Sequence, residues 1–293
     1  MFDQVVTDEY AAYHRDCVEA LREMPSNSID YSIYSLPFAS LFTYSASARD
    51  MGNCKNYSEF GTHYGFLCDE LMRVMKPGRL ISIHCMNLPT SKTRHGYIGL
   101  QDFRGDVIRW HQAAGMIYHS EVCIRKDPVQ AMQRTKALGL LHKQVKKDSA
   151  MSRQGIPDYV VTMRKPGEND EPISHTSDEF PVSLWQRLAE PVWTDINPSD
   201  TLQYRSVRED KDEKHLAPLQ LTVIRRLMMI WSNPGDVVLD PFGGIGSTGY
   251  VALQERRRSV IVELKESYFK QAVENLKAAI GERHPSLFAE EAN

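Results

Sequence analysis

A glycine-rich segment near the carboxyl end of the sequence contains the residue types that bind a nucleotide or a nucleoside. It covers residues 237–249, VVLDPFGGIGSTG, and it contains the pattern GxGxxG at Gly244, Gly246 and Gly249. Glycines in such a loop let the backbone approach a ligand closely, and this loop lies between a predicted strand and a predicted helix. Glu263 ends the next predicted strand, 19 residues after Gly244, where an acid can accept hydrogen bonds from both ribose hydroxyls.

Two other interpretations of the glycine segment have to be weighed. A tight turn between strand and helix can carry the same glycines without a ligand, although strand, loop, helix and acid together match the binding template. A dinucleotide-dependent dehydrogenase would need further strands after the glycines, and only 44 residues follow Gly249. Asp240-Pro241-Phe242 precedes the glycines, and a carboxylate there suits a cationic ligand, such as a sulfonium with an ammonium, better than a pyrophosphate. The sequence therefore favours a cationic nucleoside, with earlier strands completing the sheet.

A second loop that could do chemistry lies early in the chain, where Ser35-Leu36-Pro37-Phe38 ends an apolar predicted strand. An exocyclic amine on an aromatic base is a weak nucleophile, because its lone pair is delocalised into the ring. The Ser35 hydroxyl and the Leu36 carbonyl could accept its two N–H bonds and draw the nitrogen towards tetrahedral geometry. Pro37 stiffens the loop, and Phe38 can stack on a base that has left a nucleic-acid helix. Taken alone, an ordinary strand-ending turn with a buried Phe is the better interpretation.

Strands and helices are predicted to alternate, which indicates an α/β fold with a mainly parallel sheet covered by helices on both faces. The predicted strands are 10–15, 29–34, 79–85, 117–124, 158–164, 237–239 and 259–262. The predicted helices are 17–24, 57–75, 103–114, 219–231, 247–256 and 266–280. Ligands of such sheets bind at the carboxyl ends of strands, and this rule selects the loops that follow Tyr34 and Leu239.

The same pattern divides the chain into five predicted parts. They are a first half with the Ser35 loop, a basic insertion, a sheet strand, an irregular segment and a second half with the glycine segment, at 1–124, 125–157, 158–167, 168–213 and 214–293. The irregular segment contains Trp185, Trp193 and Tyr204. These residues could belong to target recognition, and they could equally have a structural role, in a segment that packs around the sheet with its aromatic rings against it.

The composition restricts the class of protein. The chain has 293 residues, of which 42% are hydrophobic and 25% charged, as in ordinary globular proteins of one large domain or two small ones. The net charge of -3 means that any surface for nucleic acid must be local. An acidic N-terminus without an apolar run, and the lack of 18 consecutive apolar residues, predict a cytoplasmic protein without signal peptide or membrane contact.

Positive charge is concentrated between two predicted strands. Residues 125–153 contain two acidic residues and eight basic ones, namely Arg125, Lys126, Arg134, Lys136, Lys143, Lys146, Lys147 and Arg153. Contacts with phosphates would explain this excess. A solvated helix face is the better explanation for a charge run alone, but the position on an insertion favours the phosphate contacts. The same surface could extend to Lys92, Arg94, His95, Arg104 and Arg109.

Together the two loops resemble the motifs of the DNA amino-methyltransferases, which methylate adenine N6 or cytosine N4, and most closely their phage-type and prophage-type members. The catalytic motif of that family is typically (D/N/S)PP(Y/F), and its cofactor motif is DPF-x-G-x-G-(S/T)-T. SLPF and DPFGGIGST are similar to these, in the order of the beta-type permutation. The likeness covers most of the chain, from HRDCVEAL through ELMRVMKPGRLISIHC and DYVVTMRKPGE to HLAPLQLTVIRRLMMIWSNPGD.

The resemblance implies a circularly permuted, Rossmann-like methyltransferase fold with a DNA-recognition insertion. It implies S-adenosyl-L-methionine as the cofactor and double-stranded DNA as the partner, in the cytoplasm of a bacterial or phage-infected cell. Phage-type members suggest an unpaired enzyme that protects DNA from restriction. The oligomeric state stays open, with a homodimer among the options.

The resemblance also implies roles for individual residues. An acid like Asp16 lies near the cofactor adenine, an acid like Glu263 holds the ribose, and the segment 215–220 lies against the methionine part. The implied cofactor-binding residues are Asp16, His215, Pro218, Gln220, Asp240, Pro241, Phe242, Gly243, Gly244, Gly246, Ser247, Thr248 and Glu263. The implied catalytic residues, which polarise the amine of a flipped base and stack on it, are Ser35, Leu36, Pro37 and Phe38.

Leu36 departs from the family pattern, which has proline at this position. A backbone carbonyl is available from leucine as well, but the rigidity of the loop is expected to fall. Serine first and phenylalanine last resemble the cytosine-N4 members slightly more than the adenine-N6 members, which more often begin with Asp. The alternatives are an RNA methyltransferase on the same fold and a catalytically inactive DNA-binding homologue in which Leu36 is the lesion.

Two further chemistries are not expected. Methylation of cytosine at carbon 5 needs a thiolate from a Pro-Cys pair, and none of the five cysteines follows a proline. No pair of cysteines has the spacing of a zinc site. His84 and Cys85 are adjacent in a predicted strand, so they point to opposite faces and do not form a metal site.

Overall fold

The structure, a computed structural model, describes residues 3–37, 51–129, 142–203 and 218–282. The predictions for Phe38, Arg134, Lys136, Tyr204 and His215 lie outside the described residues. The strands are β1 (Gln4–Val6), β2 (Tyr10–His14), β3 (Ile29–Ser35), β4 (Met75–Cys85), β5 (Leu88–Pro89), β6 (Leu100–Gln101), β7 (Ile117–Ile124), β8 (Asp158–Arg164), β9 (Val192–Trp193), β10 (Val237–Asp240) and β11 (Arg258–Glu263). The α-helices are α1 (Cys17–Glu23), α2 (Tyr57–Val74), α3 (Lys92–His95), α4 (Phe103–Ala113), α5 (His142–Asp148), α6 (Val182–Leu188), α7 (Leu221–Trp231), α8 (Ser247–Gln254) and α9 (Glu266–Gly281).

Most of the described strands form one nine-stranded sheet in the order β1-β2-β11-β10-β3-β4-β8-β7-β9. Strands β10 and β11, from the end of the chain, lie between β2 and β3, from its beginning. Each of these neighbours pairs in parallel. This order confirms the predicted α/β fold and the permuted arrangement, in which earlier strands complete the sheet around the glycine segment.

The prediction of a mainly parallel sheet is confirmed, because five of the eight neighbouring strand pairs in the described sheet are parallel, and only β1 and β8 run against the other strands. Strand β8 is antiparallel to both of its neighbours, β4 and β7. Ile124, which ends β7, is paired with Asp158, which begins β8. The intervening chain therefore leaves and re-enters the sheet at the same edge, and a strand that re-enters there has to run in the opposite direction.

Strand β4 begins earlier than the sequence predicts. Lys76-Pro77-Gly78 has the composition of a turn, yet β4 starts at Met75 and runs through it. The pairing register with β3 shifts at this point, and Gly78 has a φ of 71°. Such an irregularity accommodates a proline without an N–H and a glycine with positive φ.

Side chains of β3 alternate between hydrophobic cores on opposite faces of the sheet. Tyr31 and Ile33 pack in the core that includes α7, whereas Tyr34 packs in the core that includes α2. Helix α2 buries residues spaced by three or four positions, as the sequence predicts; they are Phe60, Tyr64, Leu67, Cys68, Leu71 and Val74. Among the described helices, none is long and apolar enough to cross a membrane.

The segment 168–213 is not irregular throughout, because it contains α6 and the edge strand β9. Strand β9 pairs in parallel with β7. Trp193 in β9 is 1% exposed and has the Arg226 guanidinium 5.1 Å from its ring centroid, whereas Trp185 is 55% exposed. Trp193 therefore has the structural role, packing against the sheet. A two-residue strand is too short for an alternating pattern to reveal it.

A buried ion-pair network lies at the amino ends of β3 and β10. The fully buried Arg79 donates to Asp236 at 2.9 Å and lies 3.6 Å from Asp30, which also contacts Lys76 at 2.6 Å. Glu171 contacts both cations. The three carboxylates are close enough to one another to share a metal ion, but Arg79 and Lys76 already compensate their charge. The network is therefore structural, and it lies at the opposite edge from the two loops.

Candidate active site

The two loops that the sequence singles out are adjacent in the structure. Each follows one of the neighbouring parallel strands β3 and β10, so both emerge at the same edge of the sheet. The Ser32 hydroxyl donates to the Leu239 carbonyl at 2.9 Å, and the Thr248 hydroxyl donates to the Ile33 carbonyl at 3.2 Å. These two buried hydrogen bonds hold the Ser35 loop and the glycine loop together. The predicted residue Thr248 thus joins the two loops.

The glycine loop depends on backbone conformations that other residues rarely adopt. Gly244 and Gly246 have φ values of 52° and 87°, and Gly246 is the N-cap residue immediately before α8. The Gly243 N–H donates to the Val262 carbonyl at 2.8 Å, and a Cβ at Gly243 would lie 3.1 Å from the Ile261 Cβ. The glycines therefore let the loop turn sharply while it lies tightly against β11.

Glu263 binds the glycine loop directly. Its carboxylate accepts the Gly244 N–H and the Lys265 N–H, each at 2.7 Å. A carboxylate has about four acceptor positions, so Glu263 can hold the loop and still accept hydroxyl groups. Asp16 lies at the same edge, because β2 pairs with β11 so that His14 is opposite Glu263. There Asp16 caps α1 by accepting the Glu19 N–H at 3.0 Å.

Asp240 is a buried carboxylate at the start of the glycine loop. It accepts the Phe242 N–H at 2.9 Å. Burial raises the pKa of Asp240 to about 7, although the nearby Thr248 side chain and the Phe242 N–H act in the other direction. The Phe242 ring packs at 5.7 Å from the Tyr34 ring, which precedes Ser35. A cationic ligand would stabilise the charged form of Asp240, as the sequence predicts for this position.

Gln220 presents an acceptor that lacks a partner in the described part of the chain. It immediately precedes α7, and its Oε1 atom is buried without a hydrogen bond there. An unsatisfied buried amide oxygen is costly, so a donor group is expected at this position. The half-buried Pro218 lies on the same approach to α7.

Leu36 is anchored at the end of β3, and the expected lower rigidity of the loop relative to the usual proline stays a prediction. Its side chain is 1% exposed within the core, and its N–H donates to the His84 carbonyl at 3.1 Å. Proline at this position would have no N–H to donate. The structure thus fixes Leu36 by this hydrogen bond and by burial of its side chain, and the half-buried Pro37 follows directly.

Ser35 has a hydrogen-bond partner that the sequence analysis missed. Its Oγ lies 2.9 Å from His84 Nδ1, and His84 Nε2 lies 3.2 Å from Asp158 Oδ2. The Asp158 carboxylate also accepts from Lys126 Nζ at 2.5 Å. The only signal in the sequence is the position of these residues at strand ends. Ser35 and His84 lie at the ends of β3 and β4, Lys126 follows β7, and Asp158 begins β8, so all four reach the edge where the two loops lie. Lys126, predicted to contact DNA, is instead paired with Asp158.

Five other predicted DNA-contacting residues lie in the described part of the chain. Lys143, Lys146 and Lys147 are exposed on α5, and Arg125 is exposed immediately after β7. Arg153 is half-buried, and burial lowers the pKa of its guanidinium. The structure therefore leaves the three α5 lysines and Arg125 as cations that face solvent.

Two arginines of the proposed extended surface have acidic partners. Arg104 donates to both oxygens of Glu121, at 2.7 and 2.8 Å. Arg109 donates to Asp106 at 2.6 Å. The charge of each is largely compensated, so neither is a strong candidate for a phosphate contact. Lys92 is exposed on α3.

An open sheet in this order, with the glycine loop and the Ser35 loop side by side at one edge, defines a protein of the Rossmann-like methyltransferase class. The model of the N6/N4 methyltransferase family, described as DNA methylase, matches residues 29–274. The chain belongs to this family.

Curated relatives match parts of the chain. The DNA adenine methyltransferase YhdJ of Escherichia coli (strain K12) is 34% identical over 84 residues, which are 28% of this chain and 29% of that protein. The type II methyltransferase M.BamHI of Bacillus amyloliquefaciens is 25% identical over 259 residues, which are 88% of this chain and 55% of that protein. The chain thus spans about half or less of the length of these relatives.

Solved structures share the fold over nearly the whole chain. A provisionally assigned DNA modification methylase from Thermus thermophilus, complexed with S-adenosyl-L-methionine, has a TM-score of 0.70 at 21% identity, covering 94% of this chain and 96% of that one. The cytosine-N4-specific PvuII DNA methyltransferase has a TM-score of 0.65 at 18% identity, covering 94% and 93%. These likenesses show the fold.

Proposed function

We propose that this protein transfers a methyl group from S-adenosyl-L-methionine to the exocyclic amine of a flipped base in double-stranded DNA, with cytosine N4 favoured over adenine N6. The observation that carries the proposal is the position of the Ser35 loop beside the loop that contains Asp240, since the two follow the neighbouring parallel strands β3 and β10. This arrangement would bring an amine acceptor and a site for a cationic nucleoside to the same edge of the sheet.

The residues of the glycine loop fit this cofactor. Asp240 and the oxygen of Gln220, which has no partner among the described residues, would hold its ammonium; Glu263 would hold its ribose hydroxyls, and Asp16 would lie near its adenine. When bound, S-adenosyl-L-methionine supplies an electrophilic methyl group on a sulfonium sulfur. The two loops would align the amine with that methyl group, and such orientation is itself a large contribution to rate.

The Ser35 loop would activate the amine. Ser35 Oγ and the Leu36 carbonyl accept its two N–H bonds, so the nitrogen lone pair is directed out of the ring. Cytosine is favoured because the loop begins with Ser and ends with Phe. The relatives support the chemistry but act on both bases, since YhdJ is an adenine methyltransferase and PvuII is cytosine-N4-specific.

The segment 125–157 would contact the DNA backbone through α5. Replacing Lys143, Lys146 and Lys147 together with glutamine is expected to weaken DNA binding and to reduce the slope of log K against log salt by roughly 2–3, because each phosphate contact contributes about 0.9. Fluorescence anisotropy at several salt concentrations measures both quantities. A matched triple variant of Arg22, Lys270 and Lys277, exposed cations on α1 and α9, should leave the slope unchanged. Equal slopes for all proteins would contradict the assignment.

Cofactor binding is expected to depend on pH through Asp240. Because burial raises its pKa to about 7, the free protein loses the carboxylate charge below that pH, and affinity for the cationic cofactor should fall by about tenfold per pH unit in the acid range. Asp240→Asn should bind weakly and show no such dependence. Calorimetric titration between pH 5.5 and 7.5, where the amino-acid ammonium stays mostly protonated, tests this. An unchanged pH dependence in the variant would contradict the role of Asp240.

The function is tested by incubating the protein with labelled cofactor and unmethylated DNA, with an equal amount of RNA as competitor. Digestion to nucleosides and mass spectrometry identify the product. N4-methylcytosine in the DNA is the expected result, whereas N6-methyladenine would show that the target base is adenine. If only RNA yields a methylated nucleoside, the substrate is RNA and not DNA. DNA and cofactor binding without any methylated base would identify an inactive homologue.

A further inference from the structure

Four polar side chains from four parts of the chain form a continuous series behind the amine-polarising serine. Ser35 Oγ lies 2.9 Å from His84 Nδ1, His84 Nε2 lies 3.2 Å from Asp158 Oδ2, and Asp158 Oδ1 accepts from Lys126 at 2.5 Å. His84 is 7% exposed and Asp158 2%. The Nε2–Oδ2 approach is close but poorly aligned for a hydrogen bond, so it is an electrostatic contact. Lys126 lies where the series reaches solvent.

The contacts assign the tautomer of His84. A neutral imidazole carries its hydrogen on one nitrogen and accepts with the other. The carboxylate of Asp158 favours the hydrogen on Nε2, so Nδ1 is the acceptor for the Ser35 hydroxyl. The Ser35 oxygen then directs its lone pairs away from His84. A serine oriented in this way accepts an N–H from a base, whereas a serine that accepts from His84 would have its hydroxyl hydrogen turned outward.

Lys126 compensates the charge of Asp158. Burial alone would raise the pKa of Asp158, but the Lys126 ammonium and His84 outweigh burial and hold it below its usual value. Without Lys126, a bare carboxylate would favour a positively charged His84, in which Nδ1 is a donor. The next titratable groups here are the buried Cys85, whose pKa burial raises, and Arg104, which is neutralised by Glu121.

We propose that His84, held by Asp158 and Lys126, is a positioning residue that orients the Ser35 hydroxyl and takes the proton that Ser35 passes on. The proposal rests on the proposed function. In the balanced step, the amine nitrogen forms a bond to the methyl carbon while the carbon–sulfur bond breaks and its electron pair stays on sulfur. The nitrogen loses one proton to Ser35 Oγ, whose own proton moves to His84 Nδ1. His84 then returns its proton to solvent.

The pH profile of single-turnover methyl transfer, at saturating DNA and cofactor, tests the role of His84. The rate should fall as pH decreases, because a protonated His84 donates a hydrogen bond to Ser35 and can no longer accept the Ser35 proton. This fall in rate at low pH is the acid limb of the profile. Lys126→Met should move this acid limb to higher pH, whereas Lys277→Met, which changes an exposed lysine on α9, should not move it. An acid limb at the same pH in the wild type and in Lys126→Met would overturn the proposal.

Two substitutions of His84 separate orientation from proton transfer. Asparagine can place an amide oxygen near the former Nδ1 and still accept from Ser35, whereas alanine cannot. We expect His84→Ala to lose about 10²-fold in rate, within the range of general acid–base effects, and His84→Asn to recover part of it without the acid limb. Affinity for the cofactor should not change in either variant. Wild-type rates in both variants would overturn the proposal.

A readout that needs no activity keeps this inference separate from the proposed function. Nitrogen-15 NMR of the histidine rings in the full chain, assigned with His84→Asn, should show that the neutral ring of His84 carries its hydrogen on Nε2. Ser35→Ala should change the Nδ1 shift. A hydrogen on Nδ1 would overturn the relay even if DNA is methylated. A wild type that methylates nothing but shows the expected tautomer would overturn the function and leave the geometry in place.

Discussion

Replacing Ser35 with alanine should reduce the rate of methyl transfer by about 10²–10³-fold, in the range found when one preorganised hydrogen-bonding group of a reacting centre is removed. The alanine leaves one N–H of the amine without its acceptor, and the connection to His84 Nδ1 is lost. Affinity for the cofactor should be nearly unchanged, because Ser35 lies on β3 and not in the glycine loop. Single-turnover kinetics and calorimetric titration of the cofactor measure the two effects.

The matched control is Ser28→Ala, which removes an exposed hydroxyl that bonds the Pro25 carbonyl before β3 begins. It should keep the wild-type rate. Ser35→Thr keeps a hydroxyl and should retain more activity than Ser35→Ala. Full activity in Ser35→Ala, with Ser28→Ala equally active, would show that the amine is activated by other groups and would remove the basis of the proposed mechanism.

Replacing Arg79 with methionine should lower the free energy of unfolding by roughly 3–5 kcal/mol, the usual cost of removing one partner from a buried ion pair. Arg79 is fully buried, and its loss leaves Asp236 without its cation and Asp30 with Lys76 alone. Denaturant titration followed by circular dichroism measures the change. Burial already raises the pKa of Asp236, against the opposing effects of the Asn233 N–H and of Arg79.

The destabilisation caused by Arg79→Met is expected to depend on pH. Without Arg79 the folded-state pKa of Asp236 should rise further above its unfolded value. The charged carboxylate is then disfavoured in the folded state, so destabilisation grows as pH rises above the unfolded pKa and shrinks in acid. Lys76→Met is the control, since Lys76 is 32% exposed and should contribute much less. Equal losses for both variants, or a loss that does not vary with pH, would contradict a buried network centred on Arg79.

Local patterns in the sequence predicted much of the fold. The spacing of apolar residues in α2, and the apolar residues that predict β3, are properties of neighbouring residues and therefore appear in the sequence itself. Motif order also predicted that strands from the two ends of the chain share one sheet. Elements without such a period were missed, as in β9, and the Lys76-Pro77-Gly78 turn proved to be the irregular start of β4.

The sequence by itself determined the class of fold, the glycine loop and the serine loop, because each depends on residues that are close along the chain. Only the tertiary structure decided which side chains support the serine. The serine and these side chains come from separate elements; they are Ser35, His84, Lys126 and Asp158. The register of β3 with β4 places Ser35 opposite His84. Strand β8 lies between β4 and β7, which brings Asp158 to His84 and Lys126. Strand order and register depend on packing across the whole sheet, and a local pattern does not specify them.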